Sequence, residues 1–474
     1  LDYLKLVFRV DAGIASARAA RKQCCDGWGG CHDRGRARRG EADAVMPLKI
    51  PRQVGFIVST EACERFSYYG MLSILMLYLK NQLNLAEAGA KEVVHLFKMA
   101  VYFLPVAGAL LADYVWGRYG TILSLSLFYC LGHATLALFE GQLWGIYAGL
   151  ALIAIGAGGI KPCVSAFVGD QFAGDDHGLM PRVYGLFYWA VNLGAMFAFA
   201  LIPLVRDHAG YRWAFGVPGL FMGLATLVFW LGSPQYIKRE PARRAHREEA
   251  SGRSLEDGWR SVGRIAVVLL PVPVFWALYD QINSSWVVQG ARMRSFALFS
   301  YQVDAERIQS VSALLVLLWV PILTLWVYPL LERRRWAPTP LRRMGAGMLF
   351  TALSFVICAW LERRLEQGES LSLTWQLLPY VVLELGEVLV SATGLEFAYS
   401  QAPGSKKSFV MSLWLLTTSL GNFLVAAITA LNSHFVHARG STEFLFYAGL
   451  MVLVLGIFAL LACRFQYVRH RPAT

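Results

Sequence analysis

Glu61, Glu64 and Arg65 fall within one helical turn or so of each other in the stretch Glu61-Ala-Cys-Glu64-Arg65-Phe66-Ser-Tyr68-Tyr69-Gly70. With Tyr68 and Tyr69 they follow the i, i+3, i+4, i+7, i+8 spacing of a single helix face, so a helix here carries one polar stripe among apolar surroundings. The plain reading is the solvated face of a soluble helix. The rest of the chain decides against it, because the flanking residues are apolar over a length that crosses a bilayer. A charged side chain at mid-bilayer costs roughly 2.5 to 3.5 kcal/mol, so these groups must face one another or a watery cavity. Such a set can hold an ionic ligand or take up and release protons.

A second buried charge lies in Gly156-Ala-Gly158-Gly159-Ile-Lys161-Pro162. Its glycines invite comparison with a phosphate loop, but the Walker spacing is absent and proline, not serine or threonine, follows the lysine. Small residues here suit close approach of membrane helices instead. Lys161 is then deep in a span with no route to snorkel, and needs a carboxylate; Glu64 and Glu61 are the internal candidates. Asn192, in Phe187-Tyr188-Trp189-Ala-Val-Asn192-Leu-Gly194, puts an amide inside a helix. Phe275-Trp276-Ala-Leu-Tyr279-Asp280 and Glu384-Leu-Gly386-Glu387, followed by Ser391 and Trp414, add acids and rings to apolar segments of the second half. His95 reads either as a packed neutral imidazole or as a protonatable group. With no second histidine at i+3 or i+4, it offers no metal site.

The scaffold that must position these groups is a helical membrane one. Of 474 residues 56% are hydrophobic and only 16% charged, with a mean hydropathy of +0.45, whereas ordinary soluble chains are about 25% charged. Apolar runs long enough to cross roughly 30 Å of hydrocarbon recur throughout. They predict about twelve spans, near 53–80, 91–115, 119–139, 143–169, 183–205, 213–232, 263–288, 307–331, 343–363, 375–399, 408–434 and 442–465. The expected organisation is an N-terminal arm over 1–45, a six-helix bundle over 46–232, a cytoplasmic linker over 233–262, a second six-helix bundle over 263–466 and a tail over 467–474.

The net charge of +12 does not point to nucleic acid, because the basic residues lie in short loops between apolar runs. Arg333, Arg334, Arg335, Arg342, Arg343, Lys406, Lys407, Arg469 and Arg471 all fall on the linker's side, which makes that side and both termini cytoplasmic. Cys24, Cys25 and Cys31 with His32 fit no zinc spacing. The arm is expected to be disordered, with Met46 read as the start of the chain proper. Two six-helix halves around a linker predict the all-α major facilitator fold, with a site at mid-membrane between the halves. Gly108-x-x-x-x-Asp113-x-x-x-Gly117-Arg118 resembles that superfamily's loop motif, whose Asp and Arg latch helix ends.

Taken together, Glu61-x-x-Glu64-Arg65-Phe-x-Tyr68-Tyr69-Gly70, Gly158-Gly159-Ile-Lys161-Pro162-Cys-Val-Ser-Ala-Phe167, Phe187-Tyr188-x-x-x-Asn192-x-Gly194 and Gly386-Glu387 with Ser391-Ala-Thr-Gly394-Leu-Glu396-Phe397 resemble the proton-dependent oligopeptide transporter family over about residues 50–465. The last motif is close to that of the animal peptide transporters, and the chain is read as a bacterial member. The resemblance implies import of di- and tripeptides with protons across the inner membrane, by a functional monomer with no metal or organic cofactor and no covalent chemistry. It implies that Glu61, Glu64 and Arg65 exchange ion pairs with Lys161 in proton coupling, together with His95 and Asp280. It implies that Tyr68, Tyr69, Tyr102, Trp276, Ser391 and Trp414 line the cavity, that Asn192 contacts the peptide backbone and that Glu387 holds the peptide amine. Relatives within this family carry nitrate or other small anions, which have no use for an amine-binding acid.

Departures from the family pattern set further expectations. Leu72 stands where the family commonly has the arginine that pairs the acid at Asp280, so Asp280 is expected to lack a partner. Ser312 replaces a frequent asparagine. The linker is too short for the two extra helices many bacterial members insert. Glu384 has no family counterpart and reads either as a cavity-rim acid or as bonded to a neighbouring helix.

Overall fold

The computed structural model describes residues 51–172, 180–238, 252–298, 301–334, 338–402, 407–431 and 440–465. The arm over 1–45 with its Cys24, Cys25, Cys31 and His32, the Asp175 and Asp176 loop, most of the linker, Lys406 and the tail over 467–474 lie outside the described residues.

Helix occupies every stretch where a span is predicted. The first half holds α1 (Arg52–Leu77), α2 (Glu87–Phe103), α3 (Pro105–Leu111), α4 (Gly117–Leu138), α5 (Leu143–Asp170) and α6 (Met180–Leu231). The second holds α7 (Gly252–Leu269), α8 (Val272–Tyr279), α9 (Ser285–Ala291), α10 (Gln309–Pro321), α11 (Tyr328–Arg333), α12 (Pro340–Glu366), α13 (Leu377–Gln401), α14 (Lys407–Leu431) and α15 (Ser441–Arg464). Length and composition alone admit 7 membrane-crossing helices among the described residues, or 8 if a bent pair counts as one span, because two of the 7 each join two expected spans and others carry charge or break. The joints have local causes. Gly117 (φ 68°) turns the chain between a π-helical turn and α4, and Gly210 (φ 81°) breaks α6; both need the left-handed backbone that glycine adopts freely. The seventh span, expected to be continuous, bends by 42° between α7 and α8, where Pro271 and Pro273 remove backbone donors.

Two large apolar cores form. One gathers residues from Val54 to Tyr236 with Val288, the other residues from Val262 to Phe458. Apolar side chains also crowd the exterior, with Trp326, Leu460 and Leu220 at 74%, 67% and 66% exposure, as lipid rather than water demands. The glycines of α5 act as expected: a β-carbon at Gly156 would stand 2.6 Å from Cβ of Tyr129, and one at Gly158 would stand 2.7 Å from Cβ of Leu104. The arginine of the loop motif latches helix ends as the resemblance implies: Arg118 Nη1, at the start of α4, holds Asp170 Oδ2, at the end of α5, at 2.5 Å, while Asp113 is exposed.

On the side away from the linker the halves are clasped. Lys91 of α2 pairs with Glu443 of α15 at 2.9 Å, Arg206 of α6 with Glu306 just before α10, and Arg307 with Asp207. A hairpin of β1 (Phe296–Leu298) and β2 (Tyr301–Val303) adds Tyr301, whose hydroxyl donates to the Ala200 carbonyl at 2.6 Å.

Candidate functional site

The α1 stripe forms as its spacing predicts. Glu61, Glu64 and Arg65 are all buried, and Arg65 Nε lies 3.0 Å from Glu61 Oε1 and 2.6 Å from Glu64 Oε2. α6 can press close enough to seal this stripe because residue 194 is glycine: a β-carbon there would stand 2.6 Å from the Ala62 carbonyl oxygen. One guanidinium is thus shared by two carboxylates. Lys161, facing them from α5, is paired with neither. Its Nζ stands 3.9 Å from the centroid of Tyr102 and 4.8 Å from that of Tyr68, so it rests on ring faces and makes no ion pair among the described residues. The expectation of a Lys161 carboxylate partner is met only at longer range, through the charges of Glu64 and Glu61.

The second half supplies the opposite charge. Glu387 on α13 is partly buried, and among the described residues its Oε2 has no hydrogen-bond partner; nor does Trp276 Nε1 on α8 or Ser391 Oγ one turn on from the acid. The charge of Glu387 acts at long range on Tyr69, Tyr102 and Tyr188, all from the first half, and Tyr102 is also a ring on which Lys161 rests. Trp276 and Trp414 meet edge to face at 6.3 Å. Asn192 Nδ2 donates to the Tyr188 carbonyl at 3.0 Å, turning its amide nitrogen back on its own helix. Glu384, one turn before Glu387, is fully buried: Ser312 Oγ donates to it at 2.6 Å and the Tyr279 hydroxyl at 3.4 Å. The serine that replaces the family's asparagine therefore serves an acid, and Glu384 is bonded across helices rather than at a rim.

Asp280 corrects the expectation of a missing partner. Lys98 of α2 reaches across the halves and places Nζ 2.5 Å from Asp280 Oδ1 and 2.9 Å from Asn283 Oδ1. Asn422 of α14 donates from Nδ2 to Asp280 Oδ2 at 2.5 Å and accepts on Oδ1 from His95 Nδ1 at 2.9 Å. His95 Nε2 lies 2.8 Å from the Ser284 hydroxyl, which can donate or accept, so both ring nitrogens are bonded in this conformation. A cation one turn beyond His95 thus stands in for the arginine that Leu72 replaces. Removing one member of a buried pair leaves the other charge stranded, a loss of about 3 to 5 kcal/mol. Lys98→Met and Asp280→Asn are each expected to lower the melting temperature in lipid, while the double variant melts closer to wild type than either single; strictly additive losses would show that the two do not interact.

The sequence model of the POT family matches residues 119–251 and 242–445, most of the described chain. The chain belongs to the POT family. Peptide transporter family 1 of Drosophila melanogaster is 37% identical over 374 residues, covering 69% of this chain and 50% of that protein. Solute carrier family 15 member 1 of Homo sapiens is 33% identical over 367 residues, 65% of this chain and 51% of the relative. The chain therefore spans about half the length of the curated relatives it matches. Agreement with a solved structure extends over nearly the whole of that structure: an auto-inhibited POT family peptide transporter superposes with a TM-score of 0.80 at 37% identity, covering 89% of this chain and 99% of that one. The POT fold of this chain is thus the helical, multi-span major facilitator arrangement, and the geometry adds Lys98, Asn422, Ser284 and Glu384 to the candidate site, which motif matching did not supply.

Proposed function

We propose that this POT member is a symporter that carries di- and tripeptides with protons by alternating access. The observation that carries this reading is a pair of opposite charges left open among the described residues: Lys161 without an ion pair in one half, and Glu387 with an unbonded carboxylate oxygen in the other, with Tyr102 under the lysine and within long-range reach of the acid. A short peptide is a zwitterion with variable side chains, so a general carrier must grip its constant parts. Its carboxylate suits Lys161 and its amine suits Glu387. Only a ligand that touches both halves satisfies both ends, so binding favours the occluded state over either open one. The names of the relatives, peptide transporter and solute carrier family 15, support the same cargo.

A nitrate or small-anion carrier with the same fold is the second reading, since a lone cavity lysine suits an anion. Glu387 weighs against it, because a carboxylate beside the site repels nitrate. The linker side and both termini are proposed as cytoplasmic, in a bacterial inner membrane, with the clasped side facing out and the monomer as the working unit.

Liposomes with an imposed pH gradient and labelled dialanine decide between the readings. Competition by unlabelled di- and tripeptides but not by nitrate is expected; competition by nitrate alone rejects the peptide assignment. In the same assay Glu387→Gln is expected to raise the KM for dialanine on the order of 30-fold or more, as loss of one partner of a desolvated charge pair does. N-acetyl-dialanine, which has no ammonium, is expected to lose its disadvantage in that variant; an unchanged preference for the free amine would move the amine site elsewhere.

A further inference from the structure

We propose that a cleft between α7 and α15, at the membrane surface on the linker side, binds an anionic phospholipid. The cleft has a volume of about 810 Å³ and lies away from the central site. Arg260 and Arg264 of α7 and Arg464, the last residue of α15, line it, together with the apolar Val267, Leu461 and Phe465. None of the three arginines pairs with a carboxylate among the described residues; Arg264 Nη2 donates only to the neighbouring Ser261 hydroxyl, at 3.1 Å. Three like charges around one hollow repel each other and call for an anion.

The order of residues selects which anion. α7 follows the linker and α15 leads into the tail, so the arginines lie at the linker end of both helices, and Val267 and Leu461 lie further along toward the apolar interior. Trp259, half-exposed and edge to face with Phe409 at 5.3 Å, stands beside Arg260 at the level where membrane-surface tryptophans gather. A phosphodiester matches the guanidinium fork, and acyl chains continue along the apolar wall into the bilayer. Free phosphate would meet the arginines and leave that wall against water. Charge and apolar surface thus change in the same direction as they do along a phospholipid.

Native mass spectrometry of the full chain, delipidated and then supplied with phosphatidylglycerol or with phosphatidylethanolamine of the same acyl chains, tests this without any transport readout. Wild type is expected to retain phosphatidylglycerol preferentially. Each arginine near a membrane surface contributes about fivefold in affinity for an anionic lipid, so Arg260→Gln with Arg264→Gln should reduce its retention about 25-fold, and Arg464→Gln alone about fivefold. Arg333→Gln with Arg342→Gln removes equal charge from the same side outside the cleft and should leave retention unchanged. Equal losses in both double variants, or none in either, would overturn the proposal. Displacement of the lipid by equimolar soluble glycerol phosphate would also overturn it, since the apolar wall would then contribute nothing.

Discussion

Lys161→Ala protein in liposomes is expected to take up dialanine at no more than about one hundredth of the wild-type rate, in both pH-driven and counterflow assays. Truncating one side of a desolvated charge contact removes roughly 2 to 5 kcal/mol, and the lysine is the proposed anchor for the peptide carboxylate in every step that carries cargo. The same substitution should not harm folding. Lys161 makes no ion pair among the described residues and is held only on the rings of Tyr68 and Tyr102. Deleting Lys161 spares the desolvation of one buried charge but leaves Glu61 and Glu64 with Arg65 as their nearby cation, so the two effects oppose each other and the melting temperature is expected to stay close to wild type. A stable but inactive variant is therefore the expected pair of results, and undiminished counterflow would remove Lys161 from the binding site.

The contrast with Lys98 shows what the sequence can and cannot disclose. Both are lone lysines inside apolar spans, and the energetic penalty of a charge in hydrocarbon marks each as needing a partner. That penalty says nothing about which partner. Spacing alone matches Lys161 to Glu61 or Glu64, yet Arg65, four residues from one and next to the other, takes both. Asp280 reads as unpaired because Leu72 lacks a charge, yet Lys98, on another helix, supplies the cation. Spacing along one helix is readable; pairing between helices distant in sequence is not. The same holds for Glu384, whose partner Ser312 lies 72 residues away and shows in the sequence only as a lost asparagine. The break of the seventh span, by contrast, is open to reading from Pro271 and Pro273, which a hydropathy window averages away.

Conversely, the central halves of the site are legible because chemistry and periodicity agree. Glu61, Glu64, Arg65, Tyr68 and Tyr69 share one face, and Glu387 with Ser391 share another, at spacings that leave no freedom once the segments are helical. Glycines at 156, 158 and 194 then fix how closely those faces approach their neighbours.

Glu64→Gln is expected to abolish accumulation driven by a pH gradient while counterflow exchange of peptide continues. The charge balance of the first-half cluster gives the reason. Arg65 and Lys161 supply two positive charges and Glu61 and Glu64 two negative ones, with Arg65 already engaged by both acids. A peptide carboxylate arriving at Lys161 adds a third negative charge to a buried site. Burial penalises uncompensated charge, so in the proposed symport one proton taken up by Glu61 or Glu64 restores neutrality and lets the loaded carrier reorient, and its release on the side of higher pH resets the cycle. In the Glu64→Gln variant the cluster holds one acid, and the peptide carboxylate itself completes the balance. No proton is then required for the loaded carrier to turn, so exchange proceeds and the gradient has no grip on it. Glu61→Gln shifts the balance by the same one charge, so it is expected to uncouple as well; loss of coupling in only one of the two variants would assign the proton to that acid. Accumulation at the wild-type level by both variants would place the coupling proton outside this cluster, with the His95, Asn422 and Asp280 chain the next group to test.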